Sequence, residues 1–279
     1  MKKPENSMRF SWLPRNQDMT MEQSVNDSNS ANRDDIFTFS NGMKLSAQSE
    51  LERWRAETLF SKEPETIAWI RAFGKEFSTF FDVGANIGAY SVLAAVEFSS
   101  LNVFAFEPVV DNFIQLNQNK KLNSLINLHI FQIGLSEKNA LTELYIRDPR
   151  IGNSGAQLRA PIDEKGDEFV AAYKDSLLSM QIDTLRSLFG LPVPNFMKID
   201  VDGHEESILN GAIQTLGQTD MRSILIEANG NEARERIQRQ LSSYGFKPDS
   251  RFNDMPDHSA NRRRNKIGNI ATNVVYSKI

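Results

Sequence analysis

The chain has 279 residues, with 32 Lys and Arg against 36 Asp and Glu for a net charge of −4. It has no cysteine and three histidines, His129, His204 and His258, which excludes disulfides, thiol nucleophiles and Cys-ligated zinc or iron–sulfur clusters and leaves too few imidazoles for a His-rich metal site. A weakly acidic balance makes nucleic acid and anionic lipid poor electrostatic partners, so neither is expected.

In chain order, residues 16–34 are dominated by Asn, Asp, Ser and Gln and cannot bury enough apolar surface to offset ordering entropy. Residues 1–34 therefore read as a flexible tail, with Phe10, Trp12 and Leu13 as a short docking segment in the alternative reading. No apolar run is long enough for a transmembrane helix, and Met1-Lys2-Lys3-Pro4 has no apolar stretch behind it. A cytoplasmic protein without a membrane span is the expectation; the oligomeric state is not legible.

Residues 46–60, with Leu51, Trp54, Leu59 and Phe60, predict one helix. A second is predicted at 63–77, with Ile67, Ile70, Phe73 and Phe77 at spacings of three and four and Pro64 suited to the first turn. Together residues 35–78 read as a helical cap. From 79 onward strands and helices alternate: strands at 80–83, 102–106, 127–133, 196–201 and 223–227, and helices at 87–98, 109–122, 204–216 and 232–244. This order predicts an α/β fold with a doubly wound, mostly parallel sheet. An added strand is expected at 141–146. Residues 147–176, rich in Gly, Pro and charge, are too long for a plain connection and read as a lid or substrate loop.

The first strand runs into Asp82-Val83-Gly84-Ala85-Asn86-Ile87-Gly88. Glycine there lets backbone approach a ligand, and Gly88 allows tight helix–strand packing. The spacing G-x-x-x-G is not the dinucleotide fingerprint. Asp82 would repel a pyrophosphate but suits a ligand with a cationic amino-acid end, such as S-adenosylmethionine. Glu107 closes the second strand, where an acid can accept hydrogen bonds from both hydroxyls of a ribose. The third strand end, Gly134-Leu135-Ser136, is where an adenine edge would lie, with Ser136 as the candidate contact.

Lys198-Ile199-Asp200-Val201-Asp202-Gly203-His204-Glu205-Glu206 concentrates charge at the fourth strand end, and ligands of open parallel sheets sit beyond such ends. Asp200 and His204 are the candidate acid–base groups. Asp202 and Glu205 are candidate substrate contacts, or else a capping box for the following helix. A His at a helix N-terminus is expected to stay neutral. Glu227 and Asn229 end the fifth strand. With Asp200 they could offer oxygen ligands to Mg²⁺, but hydrogen bonding to substrate or loop is the favoured reading. Arg262, Arg263, Arg264 and Lys266 read as a solvated basic loop.

The segments FDVGANIGAYS, FAFEP, IGLSEKNALTELYI, GNSGAQL, IDTL, FMKIDVDGHEESILNGA and ILIEANGN resemble, in order, the FkbM family of S-adenosylmethionine-dependent methyltransferases. The likeness covers about residues 63–247, and KIDVDGHEESILNGA is its most specific part. The family usually carries Glu where this chain has Asp202. The resemblance implies a class I methyltransferase (Rossmann-like) sheet with a C-terminal antiparallel strand. It implies methyl transfer to a hydroxyl of a sugar, glycan or related natural product. Carried over by position, Asp82, Gly84, Asn86, Gly88 and Glu107 would hold the cofactor. Asp200 and His204 would face the acceptor, and Asn153, in the resembling GNSGAQL segment, is a further candidate substrate contact. Two other classes stay open on sequence alone: a nicotinamide-dependent oxidoreductase, and a non-catalytic binding module on the same fold.

Overall fold

The computed structural model describes residues 35–163, 166–260 and 271–278. The expected tail at 1–34 and the basic run Arg262–Arg264 with Lys266 lie outside them. The first described element is a ribbon of β1 (Ile36–Thr38) and β2 (Lys44–Ser46), paired antiparallel. Helix α1 (Glu50–Lys62) begins four residues later than the sequence predicts. Ser49 stops it there: its side chain accepts from the Glu52 N–H while Glu52 accepts from the Ser49 N–H. The same Glu52 accepts from Ser46 Oγ at 2.9 Å, which buries the acid while Trp54 stays 44% exposed. Helix α2 (Pro64–Glu76) follows, with Pro64 in its first turn as expected.

The alternating region supplies β3 (Thr79–Val83), α3 (Ala89–Glu97), β4 (Asn102–Phe106), α4 (Val110–Leu122) and β5 (Leu128–Phe131). Next come β6 (Gly134–Leu135), β7 (Ala140–Ile146), β8 (Gln157–Leu158) and β9 (Tyr173–Met180), then α5 (Ile182–Phe189) and β10 (Phe196–Ile199). The chain continues through α6 (Glu205–Asn210), α7 (Ile213–Leu216), β11 (Ser223–Asn229), α8 (Gly230–Ser242), β12 (Phe246–Pro248), α9 (Ser250–Asn253) and β13 (Ala271–Lys278).

The main sheet has seven strands in the order β12-β13-β11-β10-β3-β4-β5. Strands β11, β10, β3, β4 and β5 are parallel neighbours, and β13 is antiparallel to β11 and β12. This is the expected doubly wound sheet with its C-terminal antiparallel strand. Side chains alternate across it: Phe80 joins one buried layer with Met43, Leu45, Trp69 and Phe196, and Phe81 the opposite layer with Phe106, Met197 and Leu209. Trp69 of α2 ties the N-terminal helices to the sheet. It lies edge-on to Phe80 and Phe196, and its Nε1 donates to Ser223 Oγ at 2.9 Å.

Two expectations need correction. The helix expected at 204–216 is broken into α6 and α7. A Cβ on Gly211 would lie 2.1 Å from the Ser136 carbonyl oxygen, so backbone meets backbone there and α6 closes with the Gly211 N–H on Ile208 and Ser207. Residues 147–176 are not a free loop. Part of them is β8 and the start of β9, and β7 pairs with both, giving a four-stranded sheet in the order β6-β9-β7-β8.

Candidate active site

A cavity of about 280 Å³ opens beyond the carboxyl ends of β3, β4, β10 and β11, where open parallel sheets hold ligands. It brings together eight of the candidate residues: Gly84, Asn86, Glu107, Asn153, Asp200, Asp202, Glu227 and Asn229. Arg55 and Lys62 of α1 also line it. Neither was singled out in the sequence, because the α1 pattern alone carries no sign of which distant loop it faces.

The wall on the β3 side is set by backbone. Gly84 has φ +78°, and a Cβ there would sit 2.0 Å from the Asp200 carbonyl oxygen, so only glycine fits. Asn86 also has positive φ, 53°. Its N–H donates to Glu107 Oε2 at 2.7 Å, and the Val109 N–H donates to Glu107 Oε1 at 2.9 Å. Glu107 is buried, and that burial pushes its pKa up to about 7 against these two donors and the nearby Asn112 and Arg55.

Asp82 and Gly88 do not line the cavity. Asp82 is 1% exposed beneath the turn; its Oδ2 accepts from Ser91 Oγ at 2.5 Å and its Oδ1 is buried with no hydrogen-bond partner. Burial raises its pKa, opposed by the adjacent Lys198. Gly88, at φ +82°, starts α3 against Leu116 of α4, as a tight helix contact requires.

The opposite wall is an acid pair. Lys198, 1% exposed, places Nζ 2.7 Å from Asp200 Oδ2 and over the Tyr90 ring at 5.2 Å. The Lys198 ammonium outweighs burial and holds Asp200 well below the usual carboxylate range. Asp200 and Glu227 also hydrogen-bond each other. Burial, then the Asp200 charge, raises Glu227 well above its ordinary value. The two carboxyls therefore titrate together, Asp200 drawn toward its ionised form and Glu227 toward its protonated one. Beside them Asn229 Nδ2 is buried with no partner.

The roof is the segment 150–158. Asn86 Nδ2 and Asn112 Nδ2 donate to the Asn153 carbonyl, and the Gly152 N–H donates to Asn112 Oδ1 at 2.7 Å. On the other side the Gly155 N–H donates to Asp202 Oδ2 at 2.7 Å and Gln157 Nε2 to the Asp202 carbonyl.

These bonds correct three expectations. Asp202 does not cap a helix: its carboxylate holds the roof, and His204 occupies the cap position without a side-chain cap bond. Glu205 does reach back, but to the Gly203 N–H at 3.0 Å. Its side chain is otherwise buried outside the cavity, and burial pushes its pKa up to about 7. His204 faces a second, smaller and mostly apolar cavity with Phe106, Gly134, Leu135 and Leu158, and its Nε2 accepts from the Leu158 N–H at 3.3 Å. It is held neutral as expected, though by burial and then Arg159. Ser136 is buried in a hydroxyl network with Ser179 and Arg159, away from both cavities. The other two histidines are structural: His129 stacks on Phe104 and His258 Nδ1 accepts from the Ala260 N–H. Among the described residues no group of three His, Cys, Asp or Glu is disposed to hold a metal ion. No helix among them is long and apolar enough to cross a membrane.

The fold and this cavity define a Rossmann-like protein built to hold a polar ligand across the carboxyl ends of its sheet. Residues 82–255 match the methyltransferase FkbM domain, and the chain belongs to that family of methyltransferases. It is 25% identical over 226 residues to the hexuronic acid methyltransferase AglP of Haloferax volcanii, spanning 80% of this chain and 85% of that one. It is 28% identical over 187 residues to the methyltransferase sdnD of Sordaria araneosa, spanning 59% of this chain and 72% of that one. Among solved structures, a precorrin-6Y C5,15-methyltransferase from Geobacter metallireducens aligns with a TM-score of 0.40 at 11% identity, over 76% of this chain and 86% of that one.

Proposed function

We propose that the protein transfers a methyl group from S-adenosylmethionine to an oxygen of a sugar or sugar-acid acceptor. The observation that carries this reading is the buried Glu107 carboxylate at the cavity wall. Its oxygens accept two backbone N–H groups and the Asn112 side chain, and the carboxylate still borders the cavity, where it could accept from a ribose hydroxyl. The rest of the donor set fits the same cofactor. Glu107, Asp200, Asp202 and Glu227 line the cavity beside Arg55 and Lys62, a mixed set of charges suited to a ligand that carries both a cationic and an anionic group. The sugar class follows the hexuronic acid named for the archaeal relative. The G-x-G-x-x-G fingerprint of a nicotinamide enzyme is absent from the first turn.

When bound, the sulfonium supplies an activated methyl group. The chain's own residues then have to orient the acceptor and take up its proton. Asp200 is the group for the proton. Lys198 keeps it ionised, so it is a weak base; but an alcohol oxygen becomes strongly acidic as its bond to carbon forms, and a weak base late in the reaction suffices. Asn229, whose buried Nδ2 has no hydrogen-bond partner among the described residues, would donate to an acceptor oxygen, and Glu227, bonded to Asp200, would accept from an acceptor hydroxyl. His204 does not serve as base in this reading, because its Nε2 lone pair already holds the roof.

The test is mass spectrometry of neutral and acidic oligosaccharides incubated with isotopically labelled cofactor. The expected result is one added methyl on a saccharide, lost in Asp200→Asn while calorimetry still shows cofactor binding. Wild-type protein that binds no S-adenosylmethionine would favour a binding module instead. Turnover unaffected by Asp200→Asn would remove the base.

A further inference from the structure

The cavity contains one cation whose fork is unspent. Arg55 enters it from α1, and its one hydrogen bond among the described residues runs from Nε to the Gly152 carbonyl at 2.5 Å. Among the described residues no ion pair involves it, although Asp200, Glu63 and Glu107 are near enough to act on it electrostatically. Each of those acids is already engaged. Glu63 pairs with Lys62 at 2.7 Å and accepts from Tyr90 Oη at 2.8 Å; Asp200 pairs with Lys198; Glu107 takes two backbone N–H groups. Lys62, the other cation lining the cavity, is thus neutralised by its neighbour, and Lys198 is sealed beneath.

The Nε bond leaves the two terminal nitrogens without a hydrogen-bond partner among the described residues. A planar pair of N–H donors matches a carboxylate through two parallel hydrogen bonds, a geometry that lysine cannot copy. Arg55 is half-buried, and an incoming anion would supply the direct ion-pair partner that it lacks among the described residues. The surrounding acids set the limits of the site. A dianionic phosphate would meet Asp200, Glu63 and Glu107 together, whereas a single carboxylate on an otherwise neutral or cationic ligand balances Arg55 alone.

We propose that Arg55 is the carboxylate anchor of the cavity, gripping one carboxylate of a bound ligand through its terminal nitrogens. This rests on the methyltransferase reading above, which offers two sources of that carboxylate: the amino-acid end of the cofactor, or a sugar-acid acceptor. Either way α1 would be part of the binding site rather than a cover for the domain.

The test is calorimetry of wild type, Arg55→Gln and Arg55→Lys with four ligands. S-adenosylhomocysteine carries the amino-acid end and 5′-methylthioadenosine lacks it; glucuronate carries an acceptor carboxylate and glucose lacks it. A cofactor anchor weakens S-adenosylhomocysteine by about tenfold to a hundredfold in both variants, as loss of a bidentate charge-assisted contact does, and leaves 5′-methylthioadenosine unchanged. An acceptor anchor gives the same loss for glucuronate, measured with the cofactor product bound, and none for glucose. Equal weakening of both members of a pair would mean that Arg55 acts only by holding Gly152, and would overturn the proposal. So would no weakening at all. Wild type that binds neither adenosyl ligand would instead overturn the methyltransferase reading itself, and the anchor with it.

Discussion

Glu107 and Glu205 are both acids whose pKa burial lifts to about 7, but they have opposite consequences. Glu107 faces the cavity, and its ionised form offers the most lone pairs to a ribose. Cofactor affinity is therefore expected to fall as pH drops below about 7, with proton release accompanying binding there. Glu107→Gln should flatten that dependence, and calorimetry across pH 5.5 to 8.5 would show it. Glu205 lies outside the cavity. Its folded pKa stands above the unfolded value near 4.3, so the folded state holds the proton more tightly and stability is lost as pH rises from there through 7. Glu205→Gln keeps an acceptor for the Gly203 N–H and removes the buried charge. It should raise stability at pH 8 by roughly 1 to 3 kcal/mol and change little at pH 4; thermal melts at the two pH values decide it. Equal effects at both would mean that the gain does not come from the charge.

The residues legible in the sequence were those whose role is set locally. A glycine turn and an acid at each neighbouring strand end are read from a few consecutive positions, and Gly84, Glu107 and Asp200 all meet at the cavity. Arg55 was not legible, because its partner carbonyl lies 97 positions away. For His204 and Asp202 the sequence did not show the bonds that they make to segment 150–158. Both are anchors for the roof, whose position depends on β7 pairing with β8 and β9 across long separations.

At the scale of elements, segment 150–158 is bound to both halves of the site. Asn86 and Asn112 hold its first half, Asp202 and His204 its second. Asp202→Ala removes the acceptor for the Gly155 N–H while leaving the Asn contacts. Amide exchange should then accelerate at 154–158 and stay unchanged at 150–153. KM for the acceptor should rise with little change in the affinity of the cofactor. Uniform acceleration across the segment would mean that it opens as one unit. The irregular composition of 147–176 was visible; the four-stranded sheet that β8 and the start of β9 complete was not, since β8 is only two residues long and has no pattern of its own.

For the whole molecule, the division into a cap at 35–78 and a methyltransferase domain from 79 cuts through one core. Trp69 of α2 is fully buried against Phe80 and Phe196 and bonded to Ser223. Glu65 of the same helix accepts from Asn273 of β13 and from Ser259. A fragment of residues 79–279 would expose that aromatic face and leave Asn273 without its partner. It should fail to give a cooperative melt, whereas deletion of 1–34 should leave the transition in place. The alternating strands and helices announced the sheet and its order of layers. They could not show that α2 belongs to the same core, because an amphipathic helix does not say which surface it covers.

The glycine at 84 touches the Asp200 carbonyl with no side chain between them. The spacing between the turn on the first strand and the acid on the fourth is thus fixed by main chain against main chain. Substitutions elsewhere in the cavity cannot stretch or compress it. The roof, α1 and the end of β11 are made of side chains and can drift. On the proposed function, the cavity could be altered to take a different acceptor while the spacing between these two strand ends stays constant.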